Sequence, residues 1–495
     1  MAVRGWFLAI ALALAAPAPV RAWVYPEHRE LALAAVQKLD AEHRAQFERW
    51  WSLARAGSEQ RLCAAGADAA QGLAPNCIDW AALSAIAGDH SCSSREMLET
   101  ARTAPWILQV ADVGAQLRVD LARIPVTAAP ESAPVASLPF SDAQRRLASE
   151  GSRAERLNAL RTADIRLQRA DPAYATRAGS SNAHFLIPRP STDTSVFDYA
   201  EIALRAGSEL NAIGVYAYFH MSALQKASRL ARETLDDTQR QALARAMLAD
   251  EAFALHFLQD VYAAGHIAGT WGSASQRQGT HDYYNRSGLE VPTWQGGNRT
   301  LVHMGDAHMR PEDRELAAAS LRASLQQVLD VAAGRADALP YPHTPAAPAA
   351  ADGFDVCTNA RFPQREEGQR RVAELRPLLE ATLLPTPVPG LGPGLGAMPR
   401  FRNEVGVFVG LAGSIDGRAI DGSFVDSQTA RGGVAGIDLS VRAGFGLDGV
   451  MNESGDGLVF ASLGLRSDGP SSNKFSSTSG TTPSGHLGAA IPARR

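Results

Sequence analysis

The stretch HFLQDVYAAGH, residues 256–266, sets two histidines and an aspartate where an alanine- and leucine-rich helical run would otherwise continue its core face. In a helix His256 and Asp260 lie one above the other, so an imidazole nitrogen and a carboxylate oxygen can converge on one cation. His266 follows Gly265, which reads as a helix stop, and is expected to leave the helix end toward a second point. The competing reading of one such pair is a hydrogen-bonded core histidine. More residues with ligand chemistry shift the balance toward metal: His28 in WVYPEH, Asp89 in GDHS, His184 in SNAHFL, and His281 with Asp282 in GTHDYYN. Other histidines are assigned away from the site. His220 in YAYFHM reads as a packed core residue, and His90 points elsewhere if Asp89 is a ligand. His303 and His308 in HMGDAH are five apart, a poor match to one helical face, and read as a surface turn.

The order and spacing of these residues resemble the zinc-dependent phospholipase C family and its relatives, the single-strand-specific nucleases of the same helical fold. The similarity runs from Trp23 to about Asn285. It rests on a tryptophan at the mature N-terminus with a histidine soon after, an aspartate, and a histidine followed by an aromatic. His-x-x-x-Asp-x-x-x-x-x-His and a last His-x-x-x-Glu or Asp complete the pattern. Trp23 and His28, Asp89, His184 in AHF, then His256, Asp260 and His266, and His281 stand at those places. The resemblance implies two or three zinc ions. One would be held by Asp89, His184, His256 and Asp260, and a second by His266 and His281. A third would be held by the amine and carbonyl of Trp23 with His28 and the shared Asp260. The pattern is broken at its end, where Asn285 stands for a carboxylate; an amide oxygen is neutral and a weaker zinc ligand, so either Asn285 or Asp282 completes the second set. Asp89 is also implied as the catalytic residue that orients or deprotonates the attacking water.

Such a site must be carried by long helices, and the sequence supplies them. Apolar residues recur at three and four through FDYAEIALRAGSELNAIGVYAYFHMSALQKASRLARETL and DDTQRQALARAMLADEAFALHFLQD, so residues 23–335 are expected to form a mainly α, phospholipase C- or nuclease-like zinc domain. The run IPVTAAPESAPVASLP interrupts it as a loop. Residues 336–399 read as a Pro/Ala/Gly-rich linker with one helix, QREEGQRRVAELRPLLEATLL. Beyond it the period changes to two, as in GIDLSVRAGFGLD, and residues 400–495 are expected to be a small β-rich segment whose SSNKFSSTSGTTPSGHLG end is disordered.

Residues 1–22 read as a signal peptide: Arg4 precedes the apolar run WFLAIALALAA, and Val20 and Ala22 supply small residues for cleavage before Trp23. The expected location is therefore outside the cytoplasm: secreted, periplasmic or associated with an outer membrane. Four cysteines, Cys63, Cys77, Cys92 and Cys357, suit two disulfides, at least one of them local, with three pairings open. Among 495 residues, 45% apolar and 20% charged, a net charge of −4 argues against a grip on long nucleic acid. The expected function is a zinc-dependent phosphodiester hydrolase, first a phospholipase C acting on phospholipid. The alternatives are a single-strand nuclease, with Trp271 and Trp294 as stacking platforms, and a catalytically weak surface-binding protein. The β segment offers a possible membrane attachment.

Overall fold

The computed structural model describes residues 23–64, 77–124, 155–156, 158–174, 177, 182–205, 207–268, 281, 284–285, 288–296, 300–335, 353–362, 380–390, 400–415, 418–419, 434–448, 458–467 and 481–490. The expected signal peptide, most of the 124–139 insert, Trp271, Asp282 and the stretch 391–399 lie outside these residues. The chain divides into two units, one bearing the helices and the other the strands that begin at Arg400.

The first unit is mainly helical. Helices α1 (Tyr25–Gln37), α2 (Ala41–Arg55), α3 (Trp80–Ile86), α4 (Ser94–Thr103) and α5 (Trp106–Ala122) precede a 3-10 turn at Asn182–His184. There follow α6 (Val196–Leu204), α7 (Ala212–Arg232), α8 (Asp237–Asp260), the short α9 (Ala264–Ala268), and a hairpin of β1 (Leu289–Pro292) and β2 (Thr300–His303). Helix α10 (Pro311–Ala332) comes after the hairpin. The hairpin is antiparallel, with Leu289 opposite His303. Among the described residues, no helix is long and apolar enough to cross a membrane.

Helix α8 is the hub. Asp236 caps it, accepting from the Gln239 N–H while Gln239 returns the bond to the Asp236 N–H. Every residue from Met247 to Asp260 is buried, as in a helix packed on all sides, and α7, α2, α3, α4 and α10 surround it. Two of its buried acids are matched by partners, where an unmatched one would cost about 1–3 kcal/mol. Asp250 meets Lys226 and accepts from Ser94 Oγ, and Glu251 accepts from His220 Nδ1 and Ser324 Oγ. His220 is thus a core residue, as its aromatic surroundings in the sequence imply.

The long run from Phe197 breaks where the sequence alone gave no boundary: α6 stops at Leu204 and α7 starts only after Asn211, whose side chain accepts the Gly214 N–H. The cysteines pair as Cys63–Cys77, the local bridge, and Cys92–Cys357. The second bridge changes the reading of the linker. Residues 353–362 and 380–390 pack on the helical unit through Val356 N–H to Cys92 C=O, Leu210 N–H to Ala360 C=O, and Val388 N–H to Pro292 C=O. Sequence composition records proline and alanine but not main-chain pairing, so these ordered returns are invisible to it.

In the second unit β3 (Arg400–Ile415), β4 (Arg418–Ala419), β5 (Val434–Asp448), β6 (Leu458–Ser467) and β7 (Thr481–Ala490) form a sheet in the order β4-β3-β5-β6-β7, with antiparallel neighbours. Strand β7 covers part of the stretch that the sequence suggests is disordered. Its Thr, Ser and Gly residues lack apolar alternation, yet main-chain pairing with β6 needs none.

Candidate metal centre

Three segments converge on the last turn of α8. From α3, Gly88 adopts the left-handed conformation (φ 70°) and turns the chain so that Asp89 joins His28 of α1 and His256 of α8. A Cβ on Gly88 would lie 2.6 Å from His184 Cε1 and 2.7 Å from His256 Nε2, so the backbone itself forms one wall. The 3-10 turn brings His184 to His256 and Asp260, forming a second group. His266 of α9, His281 and Asp306 form a third.

Asp260 stands between the first two groups. Its Oδ1 is 3.6 Å from His28 Nε2, while its Oδ2 is 2.9 Å from His184 Nδ1 and 3.5 Å from His256 Nε2. The carboxylate thus lies near histidines of both groups. His28 Nε2, His184 Nε2 and Asp260 Oδ1 are buried without a hydrogen-bond partner. Folding tolerates such orphans when something else meets them, and a cation among carboxylate and imidazole donors does so.

Outer contacts set which imidazole nitrogen carries the proton. His28 Nδ1 donates to Gln259 Oε1, His256 Nδ1 to the Ser84 carbonyl, and His266 Nδ1 to the His184 carbonyl. Each arrangement leaves Nε2 as a lone-pair donor facing the centre, a common way of holding metal-binding histidines. His28 and His256 stack at 4.1 Å, and Phe185, the aromatic after His184, stacks on His266 at 4.6 Å. Trp23 is buried beside them, its indole N–H donating to the Gln259 carbonyl at 2.9 Å. Gln259 thereby anchors both Trp23 and His28 next to Asp260.

Burial also tunes the charges. It pushes His28 down to about 3 and His256 well below the usual histidine range, so both are neutral and able to ligate. His184 is lowered for the same reason, although Asp89 acts in the opposite sense. Burial, with the Asp89 charge added, raises the Asp260 carboxyl well above the usual range. Two buried carboxylates in contact with neutral imidazoles form an electron-rich pocket, which a divalent cation would neutralise.

At the third group the structure differs from the sequence expectation. Asn285 Oδ1 accepts the Gly265 N–H at 2.6 Å, which fixes the amide orientation and sends Nδ2 to His281 Nε2 at 3.0 Å. Its oxygen is engaged away from the imidazoles. The carboxylate beside them is Asp306, whose Oδ2 is 3.3 Å from His281 Nε2, and His266 Nε2 lies 3.1 Å from the same nitrogen. Sequence reasoning missed Asp306 because it weighed HMGDAH by the spacing of its histidines. The stretch is not a surface turn: His303 and Asp306 are buried, and Gly305 lets the chain pass so close to Asn285 that a Cβ there would lie 1.7 Å from the amide oxygen. Gly265 likewise is no helix stop. Helix α8 ends at Asp260 and Gly265 lies inside α9, where a Cβ would sit 2.5 Å from Asn285 Oδ1. His90 turns away, as expected, toward Asp171 at 2.9 Å.

Several buried histidine and aspartate groups could thus hold metal ions, and eight residues supply them: His28, Asp89, His184, His256, Asp260, His266, His281 and Asp306. The chain matches no family model, no curated protein and no solved structure.

Proposed function

We propose that the protein is an exported zinc-dependent phosphodiester hydrolase, with a phospholipase C as its first reading. The observation that carries it is the pair of adjacent buried groups that share His256, with Asp260 of one lying 3.6 Å from His28 of the other, and a third group at His266, His281 and Asp306. Two or three zinc ions fit these nitrogen and carboxylate donors, and when bound they supply Lewis acidity for a phosphoryl group and an acidified water near neutral pH. Trp23, through a free amine and its carbonyl, would join His28 and Asp260 at one of them. Asp89, with two carboxylate oxygens, is suited to ligate through one and to hold or accept a proton of the attacking water through the other. His28, His256 and His266 are kept in one tautomer by Gln259, Ser84 and His184, so no ligand has to reorganise during turnover.

A single-strand nuclease is the second reading, and it needs aromatic platforms beside the metals. Trp294 packs on Tyr199 at 5.5 Å, an engagement that weakens its candidacy as such a platform. The third reading, a catalytically weak binding protein, drew on the missing carboxylate at position 285; Asp306, grouped with His266 and His281, offers a carboxylate from another segment and favours the enzyme reading. Protein beginning at Trp23, assayed against lecithin and against denatured DNA with and without chelator, is expected to hydrolyse lecithin in a chelator-sensitive manner. DNA cleavage alone would favour the nuclease, and neither activity in zinc-loaded protein would favour the binding protein.

A further inference from the structure

Glu27 lies one residue from His28 yet reaches the chain 280 and 282 positions away. Its carboxylate is buried and accepts three main-chain N–H groups: Val24 at 3.3 Å, Ala307 at 2.8 Å and Met309 at 3.1 Å. The first bond completes the start of α1 in the manner of a third-position capping glutamate. The other two have no helical purpose, because they hold the loop that follows β2.

That loop is a tight turn closed by the His308 N–H on the Gly305 carbonyl at 2.8 Å, and its third residue, Ala307, has φ 58°. Among the described residues Ala307 is the one non-glycine residue with positive φ. A side chain in that left-handed conformation is strained relative to glycine, so the turn requires compensation from its surroundings. Glu27 supplies it by taking the two N–H groups on either side of His308, and Arg156 donates from its guanidinium to the Ala307 carbonyl. Asp306 is the residue between Gly305 and Ala307, so its direction is set by the same turn.

We propose that Glu27 is the positioning residue for Asp306: by clamping the 305–309 turn it presents that carboxylate to His266 and His281, and it joins the segment bearing Trp23 and His28 to the third ligand group. The inference rests on the metal-centre reading above. It makes occupancy of the third group depend on a residue of α1 that touches none of its ligands.

The test uses the full mature protein in Glu27→Ala and Glu27→Gln forms, with Asp306→Asn as comparison, titrated with zinc alone and followed by hydrogen exchange. Glu27→Ala should lose amide protection at Ala307 and Met309, and Glu27→Gln, with a single acceptor oxygen, at one of them at least. They should weaken one ion by about 10- to 100-fold, the usual effect of removing an outer partner of a ligand. Asp306→Asn should lose the same ion with those amides still protected. Adding Ala307→Gly to Glu27→Ala should recover part of the loss, since the turn then no longer carries a strained side chain. Unchanged zinc affinity with wild-type protection in Glu27→Gln would overturn the proposal, even if Glu27→Ala failed to fold. Wild-type protein that binds no zinc would overturn the metal reading instead, and loss or retention of the two protected amides would then decide the clamp alone.

Discussion

At the scale of single residues, Asp260 and Asn285 separate a shared ligand from a support. Asp260 meets His28 through one oxygen and His184 and His256 through the other, so on the proposed reading Asp260→Asn would remove charge beside two neighbouring cations and leave their mutual repulsion less compensated. We expect it to lower zinc content by about two ions per chain, breaking two sites that share one carboxylate. Asn285→Ala should leave most of the zinc in place and weaken only the third group, by about 10-fold or more, because the amide orients Gly265 and His281 and leaves ligation to Asp306. Asn285→Glu restores a carboxylate to the sequence pattern yet should also weaken that group, since Gly265 and Gly305 leave no room for a longer side chain. Elemental analysis of the three purified variants checks the order; equal zinc in Asp260→Asn and Asn285→Ala would break the assignment. His256 and Asp260 were legible because a four-residue offset maps directly onto helix geometry, whereas His266 stands on a separate short helix and was picked out by the spacing of the family pattern. Asp306 was not, because its role depends on a turn closed by Gly305 and held by Glu27, and neither contact has a sequence period.

At the scale of elements, the ends of helices do the positioning. Helix α3 ends at Ile86 and is followed by Gly88, whose positive φ and missing side chain let Asp89 reach His28 while the backbone lies against His184 and His256. Gly88→Ala should therefore cost about 1–2 kcal/mol from backbone strain and displace two imidazoles as well, giving a lower melting temperature and loss of zinc together. Thermal unfolding followed with and without saturating zinc measures both; a variant with wild-type zinc and melting temperature would mean that the wall at Gly88 is not part of the centre. The sequence showed the helices through their apolar spacing but misplaced the junction after α8. Gly265 invites a helix stop by composition, whereas the structure uses Asp260 as the last helical residue and spends Gly265 on contact with Asn285. A glycine admitted for close approach and a glycine admitted for left-handed backbone look the same in a sequence.

At the scale of the whole molecule, the groups that could hold metal lie where α1, α3, α8, α9 and the 305–309 turn meet, so ion binding there would be linked to folding. The mainly helical architecture followed from composition and period. The return of residues 353–362 to α4 through Cys92–Cys357 did not, because four cysteines allow three pairings and only the folded chain selects one. Burial of Asp89 and Asp260 beside neutral histidines would be unfavourable without a compensating cation, and zinc at about 1,000 times its dissociation constant would add about 4 kcal/mol of stability. The most direct measurement is the number of zinc ions per chain in protein that begins at Trp23, purified without chelator and then stripped. The account predicts two or three ions, with loss of phosphodiester hydrolysis and a lower melting temperature on removal, both restored by zinc; a metal-free protein with full hydrolysis and unchanged melting would contradict it.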